Sequence, residues 1–173
     1  AGNRGGGRPY VPFSRRPALM RLGVSVVLTV LNEVASLPEV LRRLEQQTRR
    51  PDEVVVTDGG STDGTVAALR SYAGPLPLQV VELPGSNISQ GRNAAAEAAA
   101  GPVIAITDAG VRLAPGWLAA LARPFEEQGA QAVAGFFRSD PASLFEAVLG
   151  ATTLPVEDEI RPEAFLPSSR SVA

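Results

Sequence analysis

Three short stretches of this 173-residue chain concentrate the side chains that could do chemistry. They are Thr29-Val30-Leu31-Asn32-Glu33, Asp58-Gly59-Gly60-Ser61-Thr62-Asp63-Gly64-Thr65 and Thr107-Asp108-Ala109-Gly110. Each sets a carboxylate near a hydroxyl, and adjacent glycines let a flat ligand approach the backbone closely. Asp58 precedes the glycines rather than a helix, so it reads as an acceptor for a nucleobase N–H and not as a turn residue. Asp63, just before Gly64-Thr65, reads as the turn and helix-cap residue that Asp commonly is. Asp108 suits a divalent cation carried in with phosphates, because Mg²⁺ typically uses one or two protein carboxylates and takes its other ligands from phosphate and water.

The missing residue types narrow the chemistry further. The chain has no Cys, no His and no Lys, so all 16 basic residues are Arg. That excludes Ser-His-Asp and Cys-His catalysis, His or Cys zinc sites and Schiff-base lysines within it. Neither G-x-G-x-x-G nor a phosphate loop ending in Gly-Lys-Ser/Thr occurs, which counts against a dinucleotide dehydrogenase and a phosphate-loop NTPase. What is left is carboxylates, hydroxyls, Arg, backbone groups and a hard metal ion.

The hydrophobic pattern says what must position the three stretches. Leu22 to Leu31 is a Val-rich run that suits a buried parallel strand and is far too short to cross a membrane. Ser36-Leu37-Pro38-Glu39 has the form of a capping box with Ser36 as N-cap, and Leu37, Val40, Leu41 and Leu44 follow helical spacing over 37–47. Val54-Val55-Val56 predicts a second strand, Asp63 to Tyr72 a helix with Val66 and Leu69 inward, and Leu78 to Leu83 a third strand. Residues 88–100 predict a tightly packed helix stopped by Gly101-Pro102, followed by a fourth strand over Val103 to Thr107. A helix over Pro115 to Ala122, broken near Pro124, and a fifth strand over Ala132 to Phe137 complete the pattern.

This alternation predicts an α/β fold of three layers, with helices on both faces of a mostly parallel sheet. In such sheets ligands sit outside the carboxyl ends of the strands, where the strand order reverses. If the order is 3-2-1-4, the first, second and fourth strands carry the three polar stretches to one crevice.

Three segments are expected along the chain: a flexible basic leader over 1–19, a ligand-binding core over 20–140, and the start of a further part over 141–173. The leader is rich in Gly, Pro and Arg, and Met20, the only Met, is where the natural protein is expected to begin. Arg4, Arg8, Arg15, Arg16 and Arg21 precede residue 22 without an acid, which leaves 11 Arg against 18 acids, or −7, in the rest. A basic tail on an acidic body is a poor nucleic-acid binder, because tracking a phosphate backbone needs a basic face on the folded part. No nucleic-acid partner is expected.

Taken in order, VSVVLTVLNE, VVVTDGGSTDGT, GRNAAAEAAAG and ITDAGVRLAPGWL resemble a family-two glycosyltransferase of the GT-A fold over roughly residues 22–138. The resemblance implies a Rossmann-like GT-A sheet, incomplete at the C-terminus. It also implies transfer of a sugar from a nucleotide-diphosphate donor, usually with inversion and a bound divalent metal, Mg or Mn. By that resemblance Thr29, Leu31 and Glu33 line the nucleotide pocket, and Asp58, with Gly59 beside it, binds the base, commonly uracil. Arg92 helps hold the nucleotide, its other reading being a solvated helix residue, and Asn93 serves packing or capping. Asp108, with Ala109 beside it, is the first acid of the Asp-x-Asp motif and the metal ligand. Two positions depart from the pattern. Leu31 replaces an aromatic residue that stacks on the base, where stacking is worth about 1–3 kcal/mol per base. Gly110 replaces the second, metal-binding Asp, which leaves the diphosphate charge to be neutralised by something else, such as an Arg.

The reaction implied is displacement at the anomeric carbon by the hydroxyl of a saccharide or lipid-linked acceptor. It needs a carboxylate to take the hydroxyl proton, and the family places that base downstream, beyond residue 173. Glu157-Asp158-Glu159 lies in a Pro-flanked acidic stretch and reads as a solvated loop, not a substitute. Residues 1–173 alone are therefore expected to bind donor nucleotide and to turn over poorly. Two rivals stand beside this reading. A nucleotidyltransferase would want a basic loop near the first strand, and residues 29–36 contain no Arg. A non-catalytic nucleotide-binding module would tolerate Gly110. The expected location is cytoplasmic, with association at the inner face of a membrane left open.

Overall fold

A computed structural model describes residues 21–135 together with 140, 141, 143–145 and 148. Strands and helices alternate strictly: β1 Val24–Val30, α1 Leu37–Glu45, β2 Glu53–Asp58, α2 Thr65–Arg70, β3 Leu78–Glu82, α3 Ile88–Ala98, β4 Val103–Ile106 and α4 Trp117–Gln128. All strand pairings are parallel, in the order β3-β2-β1-β4. The sheet thus has the expected order, with β1 and β2 central and the strand order reversing beside β1.

Side-chain alternation along each strand splits the core in two. Val24, Val26, Leu28 and Val30 of β1, with Val54 and Val56 of β2, pack against Leu37, Val40, Leu41 and Leu44 of α1, Leu69 of α2 and Leu118, Leu121 and Ala122 of α4. On the other face Val27 and Val55 meet Ala95 of α3. Both central strands are covered on both sides, as continuous Val-rich runs require. Each fully buried Val or Leu contributes roughly 1.5–3 kcal/mol.

The second face is thin because its residues are small, and α3 lies close over the sheet. A Cβ at Gly91 would meet Thr29 Cγ2 at 2.7 Å. Only glycine allows that approach, and it brings the next residue, Arg92, down to the sheet.

The N-terminal ends of the strands are closed by hydrogen bonds. Ser25 Oγ donates to Glu53 Oε2 at 2.6 Å and accepts from Gly101 N–H at 2.9 Å, and the same carboxylate oxygen accepts from Ala100 N–H. Asp52 accepts from Val24 N–H and pairs with Arg21. Arg49 pairs with Glu126 at 2.8 Å, and the Glu126 carboxylate also takes the Leu22 N–H at 2.9 Å.

Two local expectations, at Ser36 and Pro124, fail. Ser36 forms no capping box: its backbone is already helical, and its hydroxyl turns back onto the Glu33 carbonyl and carboxylate. Glu39 is instead drawn to Arg42 and Arg43 of the next turn, which hold its carboxyl down at about 2. α4 is not broken at Pro124 but runs through it. The lost N–H is offset by tertiary contacts one and two residues on, where Phe125 packs on the core and Glu126 binds Arg49 and Leu22. Of the fifth strand expected over Ala132 to Phe137, the described residues 132–135 show one bridging residue, Ala134, and 136 and 137 lie outside the described residues. Asn93 is exposed on α3. The leader 1–19, Met20 and Glu157-Asp158-Glu159 also lie outside the described residues.

Candidate functional site

Three polar stretches leave the C-terminal ends of β1, β2 and β4, which are neighbours in the sheet. With strands about 4.8 Å apart, the tips of β2 and β4 are separated by about 10 Å, a span that one nucleotide bridges.

The first two stretches are sewn together. Asn32 N–H donates to Ser61 Oγ at 2.8 Å and its Oδ1 accepts from Thr62 N–H at 2.8 Å. Glu33 N–H donates to Thr65 Oγ1, and Val34 N–H to Asp63 Oδ2. Asn32 sits at φ 57°, the left-handed region in which Asn is favoured among side-chain-bearing residues. Asp63 also accepts from Thr65 N–H and Oγ1, and these bonds, the Thr65 hydroxyl first, hold its carboxyl below the ordinary carboxylate value. It is the turn residue expected and also the brace of the neighbouring loop. Asn32, Ser61 and Thr65 were not singled out from the sequence. The signal available was turn chemistry, since Asn, Ser and Thr side chains favour local backbone partners.

Asp58 is 2% exposed at the tip of β2. Its Oδ2 accepts from Gly60 N–H at 2.8 Å and Ser61 N–H at 2.9 Å, so it does hold the glycine turn, contrary to the expectation that this role could be set aside. Gly60, at φ 108°, is the residue that makes this turn possible. Asp58 Oδ1 is buried with no hydrogen-bond partner among the described residues. Thr57 Oγ1, Thr107 Oγ1 and Arg92 Nε share that condition. Four buried polar atoms without a partner among the described residues thus gather at one end of the sheet, where a ligand or ordered water could satisfy them.

Arg92 is not the solvated helix residue that its sequence also allowed. Its Nη2 donates to Asp108 Oδ1 at 2.6 Å, with side chains 18% and 29% exposed. Leu31, at the tip of β1, is 56% exposed and presents an apolar surface beside the Asp58 turn. Thr29 lies under α3 against Gly91. Glu33 has its carboxylate engaged by Ser36. Ala109 is 7% exposed with its methyl in the core, so only its backbone is available to a ligand. Gly59 N–H is bonded to the Val30 carbonyl, which ties the β2 tip to β1.

The described residues do not make a site for a protein-held divalent cation. Asp108 is committed to Arg92, residue 110 has no side chain, and no cluster of three or more His, Cys, Asp or Glu that could hold a metal exists among the described residues. A cavity of about 600 Å³ lies at the opposite end of the sheet, lined by Arg21, Gln47, Thr48, Arg49, Arg50 and Glu126. It coincides with the ion pairs that close that end. No helix among the described residues is long and apolar enough to cross a membrane.

Comparison with known proteins bears on what this site is. The sequence profile of Glycosyl transferase family 2 matches residues 25–164. Validoxylamine A glucosyltransferase of Streptomyces hygroscopicus subsp. limoneus is 40% identical over 96 residues, which cover 53% of this chain and 21% of that protein. The undecaprenyl-phosphate 4-deoxy-4-formamido-L-arabinose transferase of Pseudomonas paraeruginosa is 49% identical over 53 residues, covering 29% of this chain and 16% of that protein. The chain therefore spans about a fifth of the length of these curated relatives. Among solved structures, the mannosyltransferase PcManGT of Pyrobaculum calidifontis, in complex with GDP-Man and Mn²⁺, superposes with a TM-score of 0.62 at 31% identity, over 73% of this chain and 39% of that one. S. aureus TarS 1-349 superposes with a TM-score of 0.62 at 23% identity, over 71% of this chain and 38% of that one, and so shares the fold. With the profile covering most of its length and its parallel sheet shared with these solved glycosyltransferases, the chain belongs to glycosyl transferase family 2 and has the GT-A fold.

Proposed function

We propose that this chain binds a nucleotide-diphosphate sugar across the tips of β2, β1 and β4, and that its sugar is transferred, with inversion, to an acceptor hydroxyl on a saccharide or a lipid-linked carrier. The observation that carries the reading is Asp58: a buried carboxylate with one oxygen fixed by two backbone N–H groups and the other without a partner. A ring N–H of a base supplies the missing donor. Uracil and guanine both present such an N–H, whereas cytosine presents an acceptor there. Asp58 therefore favours the first two, and we take uridine as the base. UDP occurs in a solved complex of TarS and GDP-Man in that of PcManGT, both of which share the fold.

The geometry supports the remaining assignments. Leu31 offers an apolar face at the neighbouring strand tip, and Thr29, Gly59 and Glu33 frame it. The diphosphate falls toward Asp108, the Ala109 backbone and Arg92. In the transfer, the bond from the anomeric carbon to the phosphate oxygen breaks and its electron pair leaves with the diphosphate. The acceptor oxygen forms the new bond, and its proton passes to a carboxylate base. We assign that base to none of the described residues.

Calorimetric titration of the 173-residue chain with UDP, GDP, CDP and CTP tests the reading. UDP or GDP is expected to bind more tightly than CDP, and preference for the triphosphate would favour a nucleotidyltransferase instead. Asp58→Asn sharpens the test. Its amide oxygen can keep the Gly60 and Ser61 bonds, which leaves the NH₂ facing the base. UDP affinity then falls at least about tenfold while CDP affinity rises. An unchanged UDP affinity would remove Asp58 from the site.

A further inference from the structure

We infer that Arg92 takes the place of the divalent cation in this chain, bridging Asp108 to the donor diphosphate, so that nucleotide binding does not depend on a metal ion. The inference rests on the nucleotide reading above and concerns how the same site handles charge. Three observations converge. Arg92 Nη2 is 2.6 Å from Asp108 Oδ1, so a cation is already seated on the carboxylate that the Asp-x-Asp motif would give to a metal. Residue 110 is Gly, so no second carboxylate is present to outbid the guanidinium. Arg92 Nε is buried with no hydrogen-bond partner among the described residues, which leaves the guanidinium donor capacity that they do not use.

The chemistry of the two cations explains why the exchange works. A divalent ion between Asp108 and a diphosphate attracts both through charge. A guanidinium does the same with directional N–H donors in a rigid fork whose spacing matches phosphate oxygens as well as carboxylates. Asp108 then acts as a positioning residue: its bond fixes the guanidinium plane. Gly91 is the second positioning element, because its missing Cβ lets α3 descend far enough for Arg92 to reach β4. A metal ion entering this site has to displace a charge-assisted, largely buried bond and finds a single carboxylate behind it.

The motif can be rebuilt without disturbing the fold. A Cβ at Gly110 meets nothing within 4 Å, and its φ lies outside the left-handed region. Gly110→Asp therefore folds and restores the second acid.

The test measures UDP and GDP binding to the 173-residue chain by calorimetry in EDTA and in Mn²⁺, with protein-bound Mn²⁺ followed by electron paramagnetic resonance. The expected result is binding in EDTA within about threefold of that in Mn²⁺, with no Mn²⁺ held by the protein at micromolar concentration. Arg92→Gln is expected to weaken nucleotide binding in EDTA at least about tenfold, and Mn²⁺ restores part of the loss because Asp108 is then uncovered. Gly110→Asp is expected to gain a bound Mn²⁺ signal. Nucleotide binding that appears only with Mn²⁺ overturns this inference and leaves the proposed function standing. No nucleotide binding in either condition overturns both. If Arg92→Gln fails to fold, the EDTA and Mn²⁺ comparison on the unaltered chain, with Gly110→Asp, still decides the matter.

Discussion

The two ends of the sheet each hold a largely buried Arg–carboxylate pair, and the pairs are built differently. At the N-terminal end Arg49 and Glu126, 12% and 17% exposed, are both tied to backbone as well: Arg49 to the Leu22 carbonyl, Glu126 to the Leu22 N–H. That pair locks the start of β1 to α4. At the C-terminal end Arg92 Nη2 bonds Asp108 Oδ1, with side chains 18% and 29% exposed, beside polar atoms of Asp58, Thr57 and Thr107 that have no partner among the described residues. A buried charge pair adds stability only when further hydrogen bonds satisfy its remaining atoms. Each pair leaves one buried guanidinium nitrogen, Arg49 Nε or Arg92 Nε, without a partner among the described residues, but only the second lies among further unpartnered atoms, and on the function proposed above that end is the one kept for a ligand.

The contrast is tested first by removing the structural pair. Glu126→Ala leaves Arg49 buried without its charge partner and is expected to cost about 2–4 kcal/mol in denaturant unfolding, with UDP affinity unchanged. Its pH dependence has a definite sign. Burial by itself would raise the Glu126 carboxyl, but the Leu22 N–H and Arg49 outweigh it and hold it below its ordinary value. The folded-state value is depressed, so the stability it contributes is fully present above the ordinary carboxylate range. That contribution is lost as pH falls through the depressed value. Glu126→Gln should therefore flatten the acid limb of the stability curve, and an unaltered limb would show that the carboxylate is not charged in the folded protein to any effect.

Next in size is Gly91→Ala, whose methyl meets Thr29 Cγ2 at 2.7 Å. Overpacking of this kind costs about 1–3 kcal/mol, and lifting α3 also weakens nucleotide binding. Thr29→Ser removes the opposing methyl, so the double variant should recover both thermal stability and affinity. Recovery of stability alone would separate the packing from the site. Arg92→Gln is expected to cost no more than about 1 kcal/mol, because Asp108 at 29% exposure can be hydrated, while nucleotide binding falls sharply. A stability loss as large as that of Glu126→Ala would make the two ends alike and undo the distinction. Gly110→Ala, in open space, should lie within about 0.5 kcal/mol of the unaltered chain.

Much of the fold was legible because its signals are local. Val-rich runs mark strands covered on both faces, and helical spacing of Leu37, Val40, Leu41 and Leu44 marks α1; α3 stops at Ala98, two residues before the expected end, and Gly101 beyond it lets the backbone pass Ser25. The misreadings share one cause, competition from partners distant in sequence or across a turn. Ser36 reads as a cap until Glu33 supplies a nearer acceptor. Pro124 reads as a helix end until Phe125 and Glu126 find the core and Arg49. Within the site, the glycines around Asp58 marked the turn, but its two oxygens have different fates that no spacing reveals.

The sequence alone determined that three polar stretches follow strands of a parallel sheet, because hydrophobic periodicity and strand-helix alternation leave few topologies. Which atoms meet was decided only in three dimensions. Arg92 and Asp108 are 16 residues apart, on a helix and at a strand end, and they touch because Gly91 lets that helix settle onto Thr29. Periodicity encodes which face of an element is buried. It carries no record of how closely two faces approach, and at 2.6 Å that closeness sets the charge of the site.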